Sequence, residues 1–401
     1  MGLLKKQLQL IRRIACILFL FVFTINSFAQ KTNVKKQFNN AAVQLKYMLA
    51  AIDSARANGL PADLVSPRTA DKNKLKLVKG QDWTSGFFPG ELWFMYEYTG
   101  KNQWLTAAKK FTASLEKQQF YGGTHDLGFI MYCSYGNGYR LTGDSAYRNV
   151  IIQAAKTLCT RFNPVTGVIK SWDFNTDNKW KYPVIIDNMM NLELLFEATK
   201  LTGDASFYNI AVSHANTTMK NHFRPNYSSY HVIDYDPVTG AVRQKNTAQG
   251  YSDSSSWARG QAWGLYGYTM CYRETKDQRY LQQAEHIAAY ILSRLPQDKI
   301  PYWDYDAPGI PSEPMDASAA AIAASALYEL SSFTKNVVYR KTADKILEKL
   351  CAAYLSPAKQ NGGFILLHST GHKPAKSEID VPIIYADYYF LEALMRSKKM
   401  N

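Results

Sequence analysis

The sequence predicts an all-α protein in which six helical hairpins close into a toroid, as a single domain. Two observations carry this prediction. A short turn motif recurs along the chain, and each copy ends one helix and starts another. The helix after a copy shows an aromatic residue followed by small apolar residues at helical spacing. The copies cover residues 98–101, 141–144, 201–204, 274–277 and 333–336.

The remaining elements complete six hairpins in chain order. A first helix is predicted over residues 36–57 and a closing helix over 384–395, and no linker divides the chain. The intervals between motif copies are long for a thin solenoid, which leaves room for functional loops. A closed ring packs inner helices against outer ones and gathers the connections before the inner helices at one end. Those aromatic and glycine-bearing connections are 82–90, 123–129, 182–188 and 301–305.

Composition narrows the class of protein. With 401 residues, 46% hydrophobic and 20% charged, the chain can bury a large core. The net charge is +14, but the basic residues are scattered, which argues against nucleic-acid binding and leaves room for an acidic small partner. No histidine and cysteine cluster has zinc spacing, so we expect no metal site and no cofactor. The sequence leaves oligomeric state and cysteine pairing open.

The N-terminus has the pattern of a secretory leader. Basic residues precede an apolar run over 14–25, and Ser27, Phe28 and Ala29 form a small-x-small cleavage pattern before Gln30. The apolar run is short for a bilayer, and no later stretch reaches the ~20 apolar residues of a membrane helix. We therefore expect residues 1–29 to be a cleaved signal peptide, residues 30–401 to be the exported barrel domain, and no membrane span. Such a leader directs the protein to the periplasm or outside the cell.

The segment 253–264 holds the most unusual combination in the chain. It brings Trp257, Arg259 and Trp263 to the start of one predicted helix. Indole faces stack on sugar rings, and a guanidinium matches a carboxylate, so the set suits an acidic carbohydrate. The alternative is a serine-capped helix start with both indoles in the core.

Carboxyl groups in two of the connections could carry acid chemistry. Asp187 precedes a helix in apolar company, where the helix dipole favours the carboxylate and burial favours the neutral acid that a proton donor needs. Asp126 lies beside His125 in a glycine-bearing loop. Two such acids at the same end of the helical ring could interact so that their pKa values move apart. Each could instead cap a helix. Further aspartates with the same ambiguity are Asp82, Asp253 and Asp316.

A long polar and aromatic stretch between two hairpins contains His231 and Gln249, and such insertions commonly form a pocket wall. Motifs for a serine nucleophile, a phosphate loop or a dinucleotide site are absent from the sequence. These residues therefore point toward a glycan site rather than a hydrolase of the serine type or a nucleotide enzyme.

Several motifs in this order resemble the unsaturated glucuronyl hydrolases, glycoside hydrolase family 88. The matching stretches are 82–90, 125–129, 187–191, 255–263, 301–304 and 386–389. The resemblance covers nearly the whole chain after the leader. It implies an (α/α)6 barrel acting on acidic unsaturated oligosaccharides that polysaccharide lyases leave behind.

The resemblance also implies roles for individual residues. Asp187 would protonate C4 of the unsaturated uronate and help water add at C5, and Asp126 would be the second essential aspartate. Arg259 and Gln249 would hold the uronate, with Arg259 as the candidate for its carboxylate. The remaining implied binding residues and stacking walls are His125, His231, Trp83, Phe87, Trp172, Trp257 and Trp263.

Specificity stays open at the sequence level. Residues 368–377 occupy a region where some relatives bind a substrate sulfate, and Lys373 or Lys376 could meet one as a point charge or be a solvated lysine. The related unsaturated rhamnogalacturonyl hydrolases, which act on pectin fragments, are one alternative. A secreted helical-repeat protein that binds glycans without turnover is another, although acids near an anionic sugar argue against it.

Overall fold

The computed structural model describes residues 32–71, 73–174 and 179–400. The α-helices that it contains are α1 Val34–Ala57, α2 Phe87–Thr99, α3 Asn102–Ala113, α4 Asn137–Thr142, α5 Ser145–Cys159, α6 Leu192–Thr202, α7 Ala205–Asn221, α8 Ala258–Thr275, α9 Gln278–Arg294, α10 Ala317–Phe333, α11 Val337–Ala353 and α12 Ile384–Lys399. A π-helical stretch, Gly128–Gly136, runs directly into α4, and a 3-10 turn, Ile186–Asn191, runs into α6.

Six inner elements form a closed ring. Helix α2 packs against the π-helical stretch, which packs against α6; α6 contacts α8, α8 contacts α10, α10 contacts α12, and α12 returns to α2. Each outer helix packs against the inner element before it, and α1 completes the set against α12 and α2. The six-hairpin toroid and the single-domain (α/α)6 barrel are thereby confirmed.

The recurring turn motif works as predicted. Gly100, Gly143 and Gly203 end the inner helices in the left-handed region, with φ of 66°, 68° and 76°, where glycine has no steric penalty. Asp144 and Asp204 then cap the outer helices by accepting the backbone N–H two residues on. One short motif therefore both ends the inner helix and starts the outer one.

The inner helices are buried on nearly every side, and their composition reflects this. Helix α10 is rich in alanine, and from Ala317 to Tyr328 every residue is buried between α8 and α12. Small side chains let the two neighbouring helices approach without leaving voids. The outer helices instead show one apolar face, as in α9, where Tyr280, Ala284 and Ile291 are buried.

Short strands, which the sequence analysis did not predict, lie in the connections between hairpins. Strands β1 Leu64–Asp71 and β2 Lys74–Lys79 pair antiparallel, as do β3 Phe162–Asn163 and β4 Val168–Ile169. A three-stranded antiparallel sheet has the order β5 Pro183–Ile185, β6 Val232–Tyr235 and β7 Val242–Asn246. The helical barrel thus carries small sheets that shape the connections before the inner helices.

The predicted signal peptide, residues 1–29, lies outside the described residues, so it stays a prediction. No helix in the described part of the chain is long and apolar enough to cross a membrane. Cys133, Cys159, Cys271 and Cys351 are free thiols.

Candidate active site

The three-stranded sheet brings Asp187 and His231 together. Asp187 lies in the 3-10 turn after β5, and His231 directly precedes β6, the partner strand of β5. The N–H of Ile186 donates to the carbonyl of His231 at 3.1 Å, which fixes the two segments side by side. As a result, Nε2 of His231 lies 3.6 Å from Oδ2 of Asp187.

Asp187 is not a helix cap. The residue before the turn makes no side-chain cap, and Oδ2 of Asp187 is buried with no hydrogen-bond partner among the described residues. Burial raises the pKa of Asp187 to about 7, while the charges of His125 and Arg259 oppose the rise and that of Asp126 adds to it. Of the two opposing effects left open by the sequence, burial therefore dominates over the helix end.

The ring of His231 is held in one orientation and one tautomer. Its Nδ1 accepts from the backbone N–H groups of both Ala248 and Gln249, each at 3.1 Å. Since Nδ1 serves as an acceptor, the neutral ring carries its proton on Nε2, the nitrogen that faces Asp187. Burial, with the nearby His372 and Arg259, holds the pKa of His231 well below its usual value, so the ring is neutral.

Asp126 belongs to the loop before the π-helical stretch. Its Oδ2 accepts from the hydroxyl of Thr124 at 2.9 Å, and its Oδ1 lies 3.1 Å from Nε2 of His125. Gly128 lets this loop reach the Asp187 turn, because a Cβ there would lie 2.5 Å from Cα of Asn191. The two acids thus stand on touching segments, and the Asp126 side chain keeps partial exposure.

The other candidate aspartates are engaged in structural contacts. Asp82 accepts from the backbone and hydroxyl of Thr84 and pairs with Arg68. Asp253 accepts from Thr247 N–H, and Asp316 caps α10 and pairs with Arg259. Among these aspartates, an unpaired buried oxygen is found at Asp187, so the geometry points to the same residue as the family resemblance.

Arg259 is buried, and its terminal nitrogens already have protein acceptors. Nη1 donates to Oδ2 of Asp316 at 2.8 Å and to the carbonyl of Thr370 at 2.6 Å, and Nη2 donates to the carbonyl of Gly371. Its Nε has no partner in the described part of the chain. The carboxylate-binding role of Arg259 stays a prediction.

The predicted aromatic walls divide into two groups. Trp83 and Trp172 are partly exposed. Trp257, at the start of α8, is nearly buried, and its ring lies 4.6 Å from that of His231. Phe87 and Trp263 are fully buried, so the expectation that they offer a face to a ligand is corrected. Both rings pack against Phe129 in the core.

Of the predicted binding residues, Gln249 contacts the loop 369–381, which we call the strap, and Lys373 belongs to it. Gln249 donates from Nε2 to the carbonyl of Gly371 at 3.1 Å. Lys373 is paired with Glu313 and lies over the ring of Trp303 at 5.1 Å, so it already has a carboxylate partner. Its contact with a sulfate stays a prediction.

Sequence reasoning missed the backbone of the strap and Tyr385. The ring of Tyr385 lies 4.9 Å from that of Trp83, and the guanidinium of Arg259 is 5.3 Å from its centre. Carbonyl acceptors such as that of Gly371 have no signature in a sequence. Tyr385 could have been found from its place directly before the 386–389 motif.

A cavity of about 630 Å³ lies away from Asp187, toward the C-terminal ends of the inner helices. Arg273 pairs there with Glu193, Glu274 and Glu329, and Arg396 adds to the same network. Because arginines pair with these carboxylates, we interpret the network as structural. We therefore place the chemistry at Asp187.

In residues 32–71, 73–174 and 179–400, no group of three or more histidine, cysteine, aspartate or glutamate side chains could hold a metal ion. The groups that the site does contain are the buried carboxyl of Asp187, the neutral imidazole of His231 and the second carboxyl of Asp126.

Comparison with known proteins identifies the family of the chain. A family model described as Glycosyl Hydrolase Family 88 matches residues 63–392. The chain is 48% identical over 376 residues to an unsaturated glucuronyl hydrolase of Formosa agariphila, covering 92% of each chain. It is also similar to the crystal structure of an unsaturated glucuronyl hydrolase specific for heparin, with a TM-score of 0.85 and 47% identity over 92% of this chain and 97% of that one.

A Streptococcus agalactiae unsaturated glucuronyl hydrolase solved with dGlcA-GalNAc6S has a TM-score of 0.75 and 30% identity, covering 93% of this chain and 95% of that one. The relatives thus match along nearly their whole length. The chain belongs to glycoside hydrolase family 88.

Proposed function

We propose that the protein releases the 4,5-unsaturated glucuronic acid at the non-reducing end of glycosaminoglycan oligosaccharides left by lyases. The observation that carries the proposal is the Asp187 carboxyl, which is buried, has an unpaired oxygen and has its pKa raised to about 7. Such a group can hold a proton near neutral pH and give it to a carbon atom. Family membership supplies the substrate class.

The reaction can be balanced with the residues of the site. Asp187 transfers its proton to C4 of the alkene, and the positive charge that develops at C5 is stabilised by the ring oxygen. Water then bonds to C5 and returns a proton to the Asp187 carboxylate. The resulting hemiketal opens to a ketone at C5, and the hemiacetal left at C1 releases the downstream sugar and an open-chain keto acid.

The surroundings of Asp187 suit both halves of this cycle. Neutral His231 turns an N–H toward Oδ2, so it can stabilise the carboxylate that forms after proton transfer without adding a full charge beforehand. Asp126 adds to the rise in the pKa of Asp187 through its negative charge. We therefore assign Asp187 as acid and base, His231 as its hydrogen-bond donor, and Asp126 as the second essential carboxyl.

For the leaving sugar we propose an amino sugar of the heparin type, because a heparin-specific enzyme shares 47% identity with this chain. The test is to measure kcat/KM on unsaturated disaccharides from heparin, chondroitin and hyaluronan and on one derived from pectin. A higher kcat/KM on a chondroitin or pectin product than on the heparin product would refute it.

The experiment for the activity itself follows the conjugated enol acid by its ultraviolet absorbance. Wild-type protein should remove the absorbance, and Asp187→Asn should abolish turnover while calorimetry shows near-normal disaccharide binding, because the amide keeps the shape and loses the proton. Asp204→Asn, at an exposed helix cap, is the control and should remain active. Unchanged absorbance with wild-type protein would refute the hydrolase activity and favour a protein that binds glycans without turnover.

We also propose that the protein is exported and that residues 1–29 are removed. The leader pattern in the sequence supports this. Sequencing the N-terminus of the protein recovered from the native host should give Gln30 as the first residue, and recovery of the intact leader would contradict export by cleavage.

A further inference from the structure

The strap, residues 369–381, lies in the connection between α11 and α12 and is folded on itself. Backbone hydrogen bonds join Ser369 to Val381 in both directions, at 2.9 and 3.0 Å, and also join His372 to Ser377. Its first residues, Ser369 and Thr370, are fully buried. The strap is therefore a built part of the site rather than a loose surface loop.

Asp316 joins three elements at the base of the strap. Oδ1 accepts the N–H of Ser318 at 3.0 Å and so caps α10, and the same oxygen is 3.4 Å from the N–H of Thr370. Oδ2 accepts from Arg259 of α8 at 2.8 Å. A helix cap needs one oxygen of the carboxylate, so the charge and the second oxygen are left to hold Arg259.

Arg259 connects Asp316 to the strap. Its two terminal nitrogens donate to the carbonyls of Thr370 and Gly371, and Asp316 and Arg259 both have almost no exposed surface. Charge-assisted hydrogen bonds between buried groups are stronger than neutral ones, and loss of one partner leaves a buried charge unpaired. The carboxylate of Asp316 therefore determines whether the guanidinium can hold the strap.

The strap in turn contacts the segment that orients His231. His372 hydrogen-bonds through Nε2 to the carbonyl of Ala248 at 3.0 Å, and Gln249 donates to Gly371. The N–H groups of Ala248 and Gln249 are the donors that fix Nδ1 of His231. A continuous set of hydrogen bonds thus runs from the base of the strap to the imidazole that faces Asp187.

We propose that Asp316 and Arg259 are positioning residues that hold the strap across the site and, through Gly371, His372 and the 248–249 segment, aim Nε2 of His231 at Asp187. This inference rests on the proposed function for its catalytic readout. It also predicts an effect on the strap itself that does not depend on catalysis.

The first test is Asp316→Asn, which keeps a capping oxygen and removes the charge that holds Arg259. We expect kcat/KM on the preferred unsaturated disaccharide to fall on the order of 10²-fold, as for a misaligned catalytic group. We also expect the alkaline limb of its pH profile to move to lower pH, because water admitted beneath a loosened strap reduces the burial that raises the pKa of Asp187. A role confined to folding would not move that limb.

Limited trypsin digestion gives the readout that needs no activity. The strap contains the exposed bond between Lys376 and Ser377, and cleavage there should be faster in Asp316→Asn than in wild type. The matched control is Asp277→Asn, which also removes a capping aspartate paired with an arginine, Arg279, but on the outer helix α9. It should leave the cleavage rate and the pH profile unchanged.

A second pair of variants tests the contact between His372 and Ala248. It also provides a test if Asp316→Asn fails to fold. His372→Ala removes the contact with Ala248 and should lower kcat/KM, whereas His372→Gln places an amide nitrogen near the position of Nε2 and should restore most of it. Equal activity of the two variants would overturn the proposed link from the strap to His231.

The outcomes separate this inference from the proposed function. If wild-type protein turns over no unsaturated disaccharide, the proposed function fails, and the trypsin experiment still decides whether Asp316 holds the strap. If wild type is active but Asp316→Asn matches Asp277→Asn in pH profile and in cleavage at Lys376, the positioning role is overturned.

Discussion

Replacing Asp187 with asparagine should make the protein more stable, and more so as the pH rises. Burial raises the pKa of this carboxyl from 3.8 to about 7. A group whose pKa is raised by folding gives its full contribution to stability below 3.8 and loses it as the pH rises to about 7. Asparagine keeps the size of the side chain and carries no charge at any of these pH values.

The magnitude follows from the same pKa. Between pH 5 and about 7 the folded protein keeps the proton that the unfolded chain has released, at about 1.4 kcal/mol for each pH unit. Wild-type protein should thus lose about 3 kcal/mol relative to Asp187→Asn between pH 5 and pH 8. For a folded unit that spans Asn33–Asn401, with an unfolding entropy of about 0.8 kcal/mol per kelvin, this corresponds to about 4 °C in Tm.

The assay is thermal unfolding of both proteins, followed by circular dichroism at pH 5 and pH 8 without substrate. The gap in Tm between variant and wild type should widen by about 4 °C at pH 8. Asp204→Asn is the control, because the pKa of Asp204 is lowered by its capping bonds and the group does not titrate in this range. Equal gaps at pH 5 and pH 8 for Asp187→Asn would refute a buried, proton-holding carboxyl.

Three further predictions concern catalysis, the core and specificity. The kcat/KM of wild-type protein should be constant below about pH 7 and fall about tenfold per pH unit above it as Asp187 ionises, and a profile that rises there would contradict its role as the acid. Trp263→Ala should lower the free energy of unfolding by about 3–5 kcal/mol in urea titrations because the ring is fully buried, and a loss near zero would contradict its place in the core. Glu313→Gln should free the ammonium of Lys373 and lower the KM for a sulfated disaccharide relative to its unsulfated form, and an unchanged ratio would remove Lys373 from sulfate binding.

The barrel could be predicted because its signals are local and repeated. At Gly143 and Gly203, a glycine in the left-handed region ends one helix and the aspartate that follows caps the next, so the whole signal lies in a few consecutive residues of the sequence. The short strands were missed because β5 and β6 are only three and four residues long, and the helical hairpin of α6 and α7 separates them in the sequence. Pairing of that kind depends on tertiary structure and leaves little periodicity to detect.

The site was predicted by residue type better than by role. The sequence marks Asp187, His231 and Arg259, but it does not reveal whether a side chain is free or already engaged. Trp263 shows the difficulty, since an indole in a binding wall and an indole in the core have the same local sequence. Arg259 shows it again, because two of its acceptors are backbone carbonyls more than a hundred residues away in the chain.

In the proposed reaction, Asp187 delivers a proton to the alkene carbon of an unsaturated uronate. A crystal structure of Asp187→Asn with an unsaturated disaccharide measures this most directly, because the amide replaces the donor and turnover cannot remove the ligand. We expect the side-chain amide of residue 187 within about 3.5 Å of C4, the distance of a reactive contact. A complex in which that amide faces solvent, or in which another carboxyl approaches C4 instead, would contradict the account.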